Sequence, residues 1–284
     1  LIVLCVFAFE MKNTEKKAYQ GMSEIGEDQN TEVENKDNSQ YIDMDLAKDI
    51  ETYFQENGID HEKVAYCITD LEHNIKYSMN EKDEFIAASI YKLPLAMLYY
   101  DKVNDGEYTL DSTFTYSGYM HEDAGVVSSN YGIGSQIPLS DLLDDLIEYS
   151  DNDAGHILYE NLGGWKEYKE AMTKYTDSIS ENYYTEDNVS TANTMNDVVT
   201  YLYEHKEDYK DLIENMEKAE PGEYLDRDTQ LSMPQKYGMY DSALNSVGFV
   251  ECNTPYSIVV LTDLGDKGAD VMANINRIAY EHFK

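Results

Sequence analysis

Apolar side chains recur at helical spacing across residues 43–57, where Met44, Leu46, Ile50, Tyr53 and Phe54 share a face and Gly58 supplies a stop. The period then falls to two. Segments 63–70 and 74–78 alternate apolar and polar positions around Leu71, Glu72 and His73, which predicts a β-hairpin. The apolar block 85–100 predicts a helix that begins near Ser89 and buries Leu93, Ala96, Met97 and Tyr100, with Pro94 tolerated in its first turns. Segment 139–149 carries an amphipathic stripe with Ser140 as its cap, and 154–162 predicts a second helix closed by Gly163 and Gly164. A further helix over 194–204 is capped by Ser190, Thr191 or Asn193, and the charged stretch 205–230 is helical in part. Three strands follow at 230–236, 243–251 and 256–262, the last two joined by Cys252, Asn253, Thr254 and Pro255, before an amphipathic helix over 269–283.

Two strands, a helical middle, three strands and a last helix describe an α+β domain. A five-stranded antiparallel sheet built from both chain ends, with a helical subdomain beside it, satisfies that order. The domain is expected to span 45–284. Residues 1–9 form an apolar run too short to cross a bilayer, which reads as the remnant of a signal peptide or a membrane anchor. Residues 10–44 are polar and acidic without periodicity, which suits a disordered tether. The expected location is therefore extracellular or at the cell envelope, with membrane anchoring through the N-terminus.

Composition narrows the partners. Fifty-six acidic residues against 21 Lys and Arg give a formal charge of -35, and only two of the basic residues are arginine. Nucleic acid is excluded as a partner, because a phosphate-binding face needs clustered cations. A substrate carboxylate is repelled at long range, an effect that salt weakens. Three cysteines (Cys5, Cys67, Cys252) make no disulfide framework, and the last two are expected as buried thiols in strands. Six histidines form no close pair, so neither a metal nor another cofactor is expected. The 26 tyrosines are spread along the chain and read as packing.

Chemistry gathers in three short motifs: Ser89-Ile90-Tyr91-Lys92, Ser150-Asp151-Asn152 and Lys236-Tyr237-Gly238. A serine hydroxyl needs a base in reach and a site that stabilises an oxyanion. Ser89 at a helix N-terminus has free N–H groups and a partial positive charge beside it, and Lys92 lies one turn on, where burial would lower its pKa. Each motif alone has an ordinary reading, a capping serine beside a surface lysine or a polar helix stop. Their order, each beside an apolar segment able to hold it, favours chemistry.

In that order the motifs resemble the signature of the class A β-lactamases and penicillin-binding proteins. The resemblance covers 45–284 and implies the β-lactamase/transpeptidase-like fold, acylation of Ser89 and a β-lactam or D-alanyl peptide as the small-molecule substrate. It implies Lys92 as base, Ser150 as proton relay, and the backbone N–H groups of Ser89 and Met239 as the oxyanion hole. Asn152 would hold the substrate backbone, Lys236 would attract a carboxylate, and Gly238 would admit a close approach to the ligand. Asp151 would point away and tie the loop down. Segment 240–248 resembles the family's next strand.

Two departures stand out. Tyr237 replaces a small hydroxyl residue of the carboxylate site. Class A enzymes also carry a deacylating glutamate with an asparagine four residues on, and no acid from Asp153 to Asp187 has that partner. Glu181 or Glu186 could reach the site from a rearranged loop; otherwise hydrolysis of β-lactams is expected to be slow. A D-alanyl peptidase, amidase or esterase with the same nucleophile stays open, as does a β-lactam or cell-wall sensing module without turnover, while a glutaminase fits the motif spacing poorly.

Overall fold

Strands built from β-branched and aromatic residues organise the molecule: β1 (Val64–Asp70), β2 (Ile75–Met79), β3 (Phe85–Ile86), β4 (Thr113–Thr115), β5 (Gln136–Pro138), β6 (Val189–Ser190), β7 (Gln235–Tyr240), β8 (Ala243–Val250) and β9 (Tyr256–Asp263). Five of them form one antiparallel sheet in the order β2-β1-β9-β8-β7. The computed structural model describes residues 44–118, 125–229 and 231–284. All of these lie in one compact unit, Gln40–Lys284. The expected leader and nearly all of the tether, together with Cys5, lie outside the described residues.

The helices are α1 (Met44–Asn57), α2 (Lys92–Asn104), α3 (Val126–Asn130), α4 (Leu139–Glu148), α5 (Asn152–Asn161), α6 (Trp165–Met172), α7 (Ala192–Glu204), α8 (Lys210–Lys218) and α9 (Lys267–Phe283). They cover both faces of the sheet. Leu46, Ile50 and Phe54 of α1 and Val271, Met272, Ile275 and Phe283 of α9 pack on Val64, Tyr66, Ile68, Ile258 and Val260. Ala65, Cys67, Val247, Phe249, Val259 and Leu261 point the other way, into a larger core with α2, α4, α5, α7 and α8. Alternate residues of one strand thus enter two different cores. That double cover explains why β1, expected to keep a polar face, is buried at all seven positions.

The predicted elements are present, with shifted edges. The strand expected at 230–236 begins only at Gln235 and runs on to Tyr240, because Pro234 has no N–H to add to a ladder and Gln235 is the first residue paired, with Gly248. Ser140 does not cap α4. The backbone N–H groups of Leu139 and Ser140 are already drawn to Ser112 O and Leu110 O beside the β4–β5 pair, so the helix starts at Leu139 behind Pro138. The helix expected from 154 starts at Asn152, capped by Asp151. Thr191 is the cap of α7. Cys67 is buried as expected, its thiol pushed up to about 12 by burial, whereas Cys252 sits half-buried in the β8–β9 turn with its thiol on Thr254 O. Among the described residues no helix is long and apolar enough to cross a membrane.

Candidate active site

Ser89 lies in a 3-10 turn, Ala88–Tyr91, that runs directly into α2. Ala88 takes a left-handed φ of 50°, a conformation rare outside glycine, and so turns the chain sharply before Ser89. Two side chains hold the turn from outside. Asn188 Nδ2 donates to Ala88 O at 2.8 Å, and Asn245 Nδ2 donates to Ile86 O at 2.8 Å and Ala87 O at 3.1 Å. Asn245 is wholly buried in β8, and its Oδ1 accepts from Thr262 N at 3.0 Å, so one amide ties the sheet to the Ser89 turn. Among the described residues, Ser89 Oγ makes no hydrogen bond.

Lys92 is completely buried, at 0% exposure. Its Nζ donates to Ser150 O and Asn152 Oδ1, each at 2.6 Å, and lies 3.5 Å from Ser150 Oγ. Ser150 occupies the corner between α4 and α5 with a left-handed φ of 56°. Asp151 ties the loop down, as expected: its Oδ1 accepts from Ala154 N at 2.8 Å and its Oδ2 from Val127 N at 3.1 Å, which fastens α3 to the corner. Gly155 brings α5 against this group, since a Cβ there would stand 2.7 Å from the Tyr91 hydroxyl and 3.4 Å from Lys92 Cε.

The third motif forms the opposite wall. A Cβ on Gly238 would lie 2.6 Å from Ser89 N and 2.9 Å from Ile90 N. The close approach seen at Gly238 is to the backbone of the Ser89 turn. Met239 follows and is exposed. Lys236 is 0% exposed, its Nζ bonded to Tyr237 O at 2.8 Å and 4.1 Å from the centre of the Tyr237 ring. Burial, and then the charge of Lys92, hold the Lys236 pKa well below the ordinary lysine value, with Glu220 pulling weakly the other way. Tyr237 is itself buried and stacks on Tyr224, ring centres 4.8 Å apart.

The structure brings together Ser89, Lys92, Ser150, Asn152, Lys236, Tyr237 and Gly238, and leaves out both loop acids. Glu181 and Glu186 are exposed, and neither hydrogen-bonds any of these residues. The loop before β6 hangs instead on Lys169, buried in α6, whose Nζ donates to Thr185 O at 2.8 Å and Asp187 O at 2.6 Å between the rings of Trp165 and Tyr183. Burial lowers the Lys169 pKa, against the pull of Asp187 and Glu186. The asparagine of this loop that touches the Ser89 turn is Asn188, and four residues before it stands Tyr184, exposed. Searching forward from acids misses this pair; counting back from each asparagine finds it. Among the described residues no group of three His, Cys, Asp or Glu side chains could hold a metal.

Comparisons with known proteins agree with this fold. Solved structures of similar fold include a β-lactamase from Chitinophaga pinensis (20% identity, TM-score 0.71, 84% of this chain and 100% of that one). The TLA-3 extended-spectrum β-lactamase has 18% identity and a TM-score of 0.72 over 84% of this chain and 98% of its own. A mutant of PBP-A, solved as an acyl-enzyme complex with penicillin G, has 16% identity and a TM-score of 0.72 over 84% and 96%. At such identities they show the fold alone. The sequence itself matches the Beta-lactamase2 model, described as the beta-lactamase enzyme family, over residues 45–283, and the chain therefore belongs to that family as a β-lactamase-like serine hydrolase.

Proposed function

We propose that this protein is acylated at Ser89 by β-lactams and releases the acyl group slowly. The observation that carries the reading is Lys92, buried one turn beyond Ser89 with its Nζ 2.6 Å from both Ser150 O and Asn152 Oδ1. As the neutral amine it can donate to these acceptors and take up a hydroxyl proton, as a general base must. Ser89 Oγ then attacks the lactam carbonyl carbon while Lys92 takes its proton, and the oxyanion rests on the N–H groups of Ser89 and Met239. The C–N bond breaks as Ser150 Oγ passes the proton from Lys92 to the nitrogen. Asn152 lines one wall of the cleft, and Lys236, Tyr237 and Gly238 line the other.

Slow release rests on the loop before β6. Its acids Glu181 and Glu186 face solvent, and the spacing that marks the family's deacylating glutamate falls on Tyr184, so neither glutamate is placed to activate water. The same domain is proposed to work outside the cytoplasm, with residues 1–9 as leader or anchor and 10–44 as tether, on the support of their sequence pattern.

Intact-mass spectrometry of the protein mixed with benzylpenicillin, followed through time with Ser89→Ala as control, tests this. The expected result is a Ser89-dependent adduct that persists for minutes to hours. Decay within seconds would overturn slow release, and no adduct would overturn β-lactams as acyl donors.

A further inference from the structure

The wall formed by β7 is aromatic and closed to anions. Lys236 offers no surface to a ligand: it is fully buried, engaged by Tyr237 O, and covered at 4.1 Å by the Tyr237 ring. Tyr224 extends this surface, stacking on Tyr237 and donating its hydroxyl to Met239 Sδ at 3.7 Å. No guanidinium replaces the lost cation. Arg227 pairs with Asp228 and Asp270, and Arg277 bonds Asn274 on α9. Asn245, paired with Gly238 across the sheet, spends its amide on the Ser89 turn and Thr262. A carboxylate makes matters worse, since the Glu220 charge acts on Lys236, Tyr224 and Tyr237 together.

A second, independent observation concerns the rim. Of the six large apolar side chains left exposed among the described residues, five (Ile86, Tyr149, Tyr184, Met239 and Tyr240) belong to segments that carry the site, and the sixth, Ile133, lies in the turn before β5. Ile86 precedes the Ser89 turn, Tyr149 adjoins Ser150, Tyr184 lies on the Asn188 loop, and Met239 and Tyr240 (59% and 66% exposed) follow Gly238. On a chain of charge -35, apolar exposure gathered around one site marks where an apolar ligand group sits.

We propose that the acyl donor is uncharged where it faces β7, an amide or ester with an apolar group in place of the carboxylate. The proposal rests on acylation at Ser89. A carboxylate placed against Tyr237 and Met239 would lose its hydration without gaining a charged partner, and the same group capped as an ester would lose nothing.

Benzylpenicillin and its methyl ester test this, because they share the ring and the scissile bond and differ in the carboxylate. The readout is the second-order rate of Ser89 adduct formation by intact mass. The methyl ester is expected to acylate the wild-type protein about tenfold or more faster, which corresponds to about 1.4 kcal/mol. Tyr237→Thr is expected to erase or invert the ratio, while Tyr237→Phe keeps it. The preference should survive 1 M NaCl, where the Debye length is about 3 Å. Equal rates, or a faster parent penicillin, would overturn the proposal and leave Ser89 acylation standing. A ratio that vanishes in salt, or that Tyr237→Thr leaves unchanged in a variant with wild-type melting temperature, overturns the role given to this wall. Adducts from neither compound overturn the Ser89 reading and this inference with it.

Discussion

Gly238 and Asn245 show how far single residues control the Ser89 turn. Gly238→Ala would push a methyl group to 2.6 Å from Ser89 N and 3.1 Å from Ala87 O, both backbone atoms that cannot swing aside. The variant is expected to lose about 1–3 kcal/mol of stability and, because the oxyanion donor itself is displaced, about a hundredfold or more in acylation rate. Thermal melts and adduct kinetics check the two effects separately. Asn245→Ala leaves Ile86 O, Ala87 O and Thr262 N without their partner in a buried place, at a cost of about 1–3 kcal/mol for an unsatisfied group. It should slow acylation while leaving the stoichiometry of the adduct at one, which mass spectrometry reads. That Ser89, Lys92 and Ser150 come together was legible in the sequence, because the proposed nucleophile and its proposed proton partners sit in motifs of fixed order. Asn245, Gly155 and Asn188 were not, since each acts across the fold on a backbone atom far away in the chain.

Between elements, charge and loop anchoring decide more than helix propensity. The α4–α5 corner crowds carboxylates: Asp145, almost buried, is pushed from 3.8 to about 7 by burial and then by Asp151, Asp141, Asp144 and Glu148. With its folded pKa above the unfolded one, the unfolded chain gives up a proton that the folded chain keeps as pH rises from about 4 to about 7. Stability therefore falls across that window. Asp145→Asn should gain stability at pH 8, by at most a few kcal/mol at about 1.4 kcal/mol per unit, and change little at pH 4. Chemical denaturation at the two pH values checks it. In α6, Lys169→Met removes both bonds to Thr185 O and Asp187 O, so amide exchange in 176–190 should accelerate while the sheet keeps its protection. Element edges were the least legible feature. The start of β7 depended on Pro234 and its pairing with β8, and that of α4 on ladder bonds to Leu110 and Ser112.

On the whole molecule, the charge of -35 acts against compaction and against anionic ligands together. Raising NaCl from 50 to 500 mM, about a threefold fall in the Debye length, should raise the melting temperature by about 2–4 °C for each kcal/mol of repulsion screened. Differential scanning calorimetry reads this directly. An unchanged or lower melting temperature would mean that the acids are spaced widely enough, or paired well enough, for self-repulsion to be small.

Periodicity along the chain sufficed for the order of the five main-sheet strands and the longer helices, though not for the short pairs β3–β6 and β4–β5 or for α3 and α6, and motif order sufficed for the reaction class, because both are local patterns whose spacing follows from backbone geometry. It could not reveal that Lys236 is sealed beneath Tyr237, that Gly238 lies against the backbone of the Ser89 turn, or that Asn188 is the asparagine of its loop that bonds that turn. Those features depend on which surfaces the sheet and the loop before β6 press together. Such contacts join residues far apart in sequence, and only the packed chain decides them.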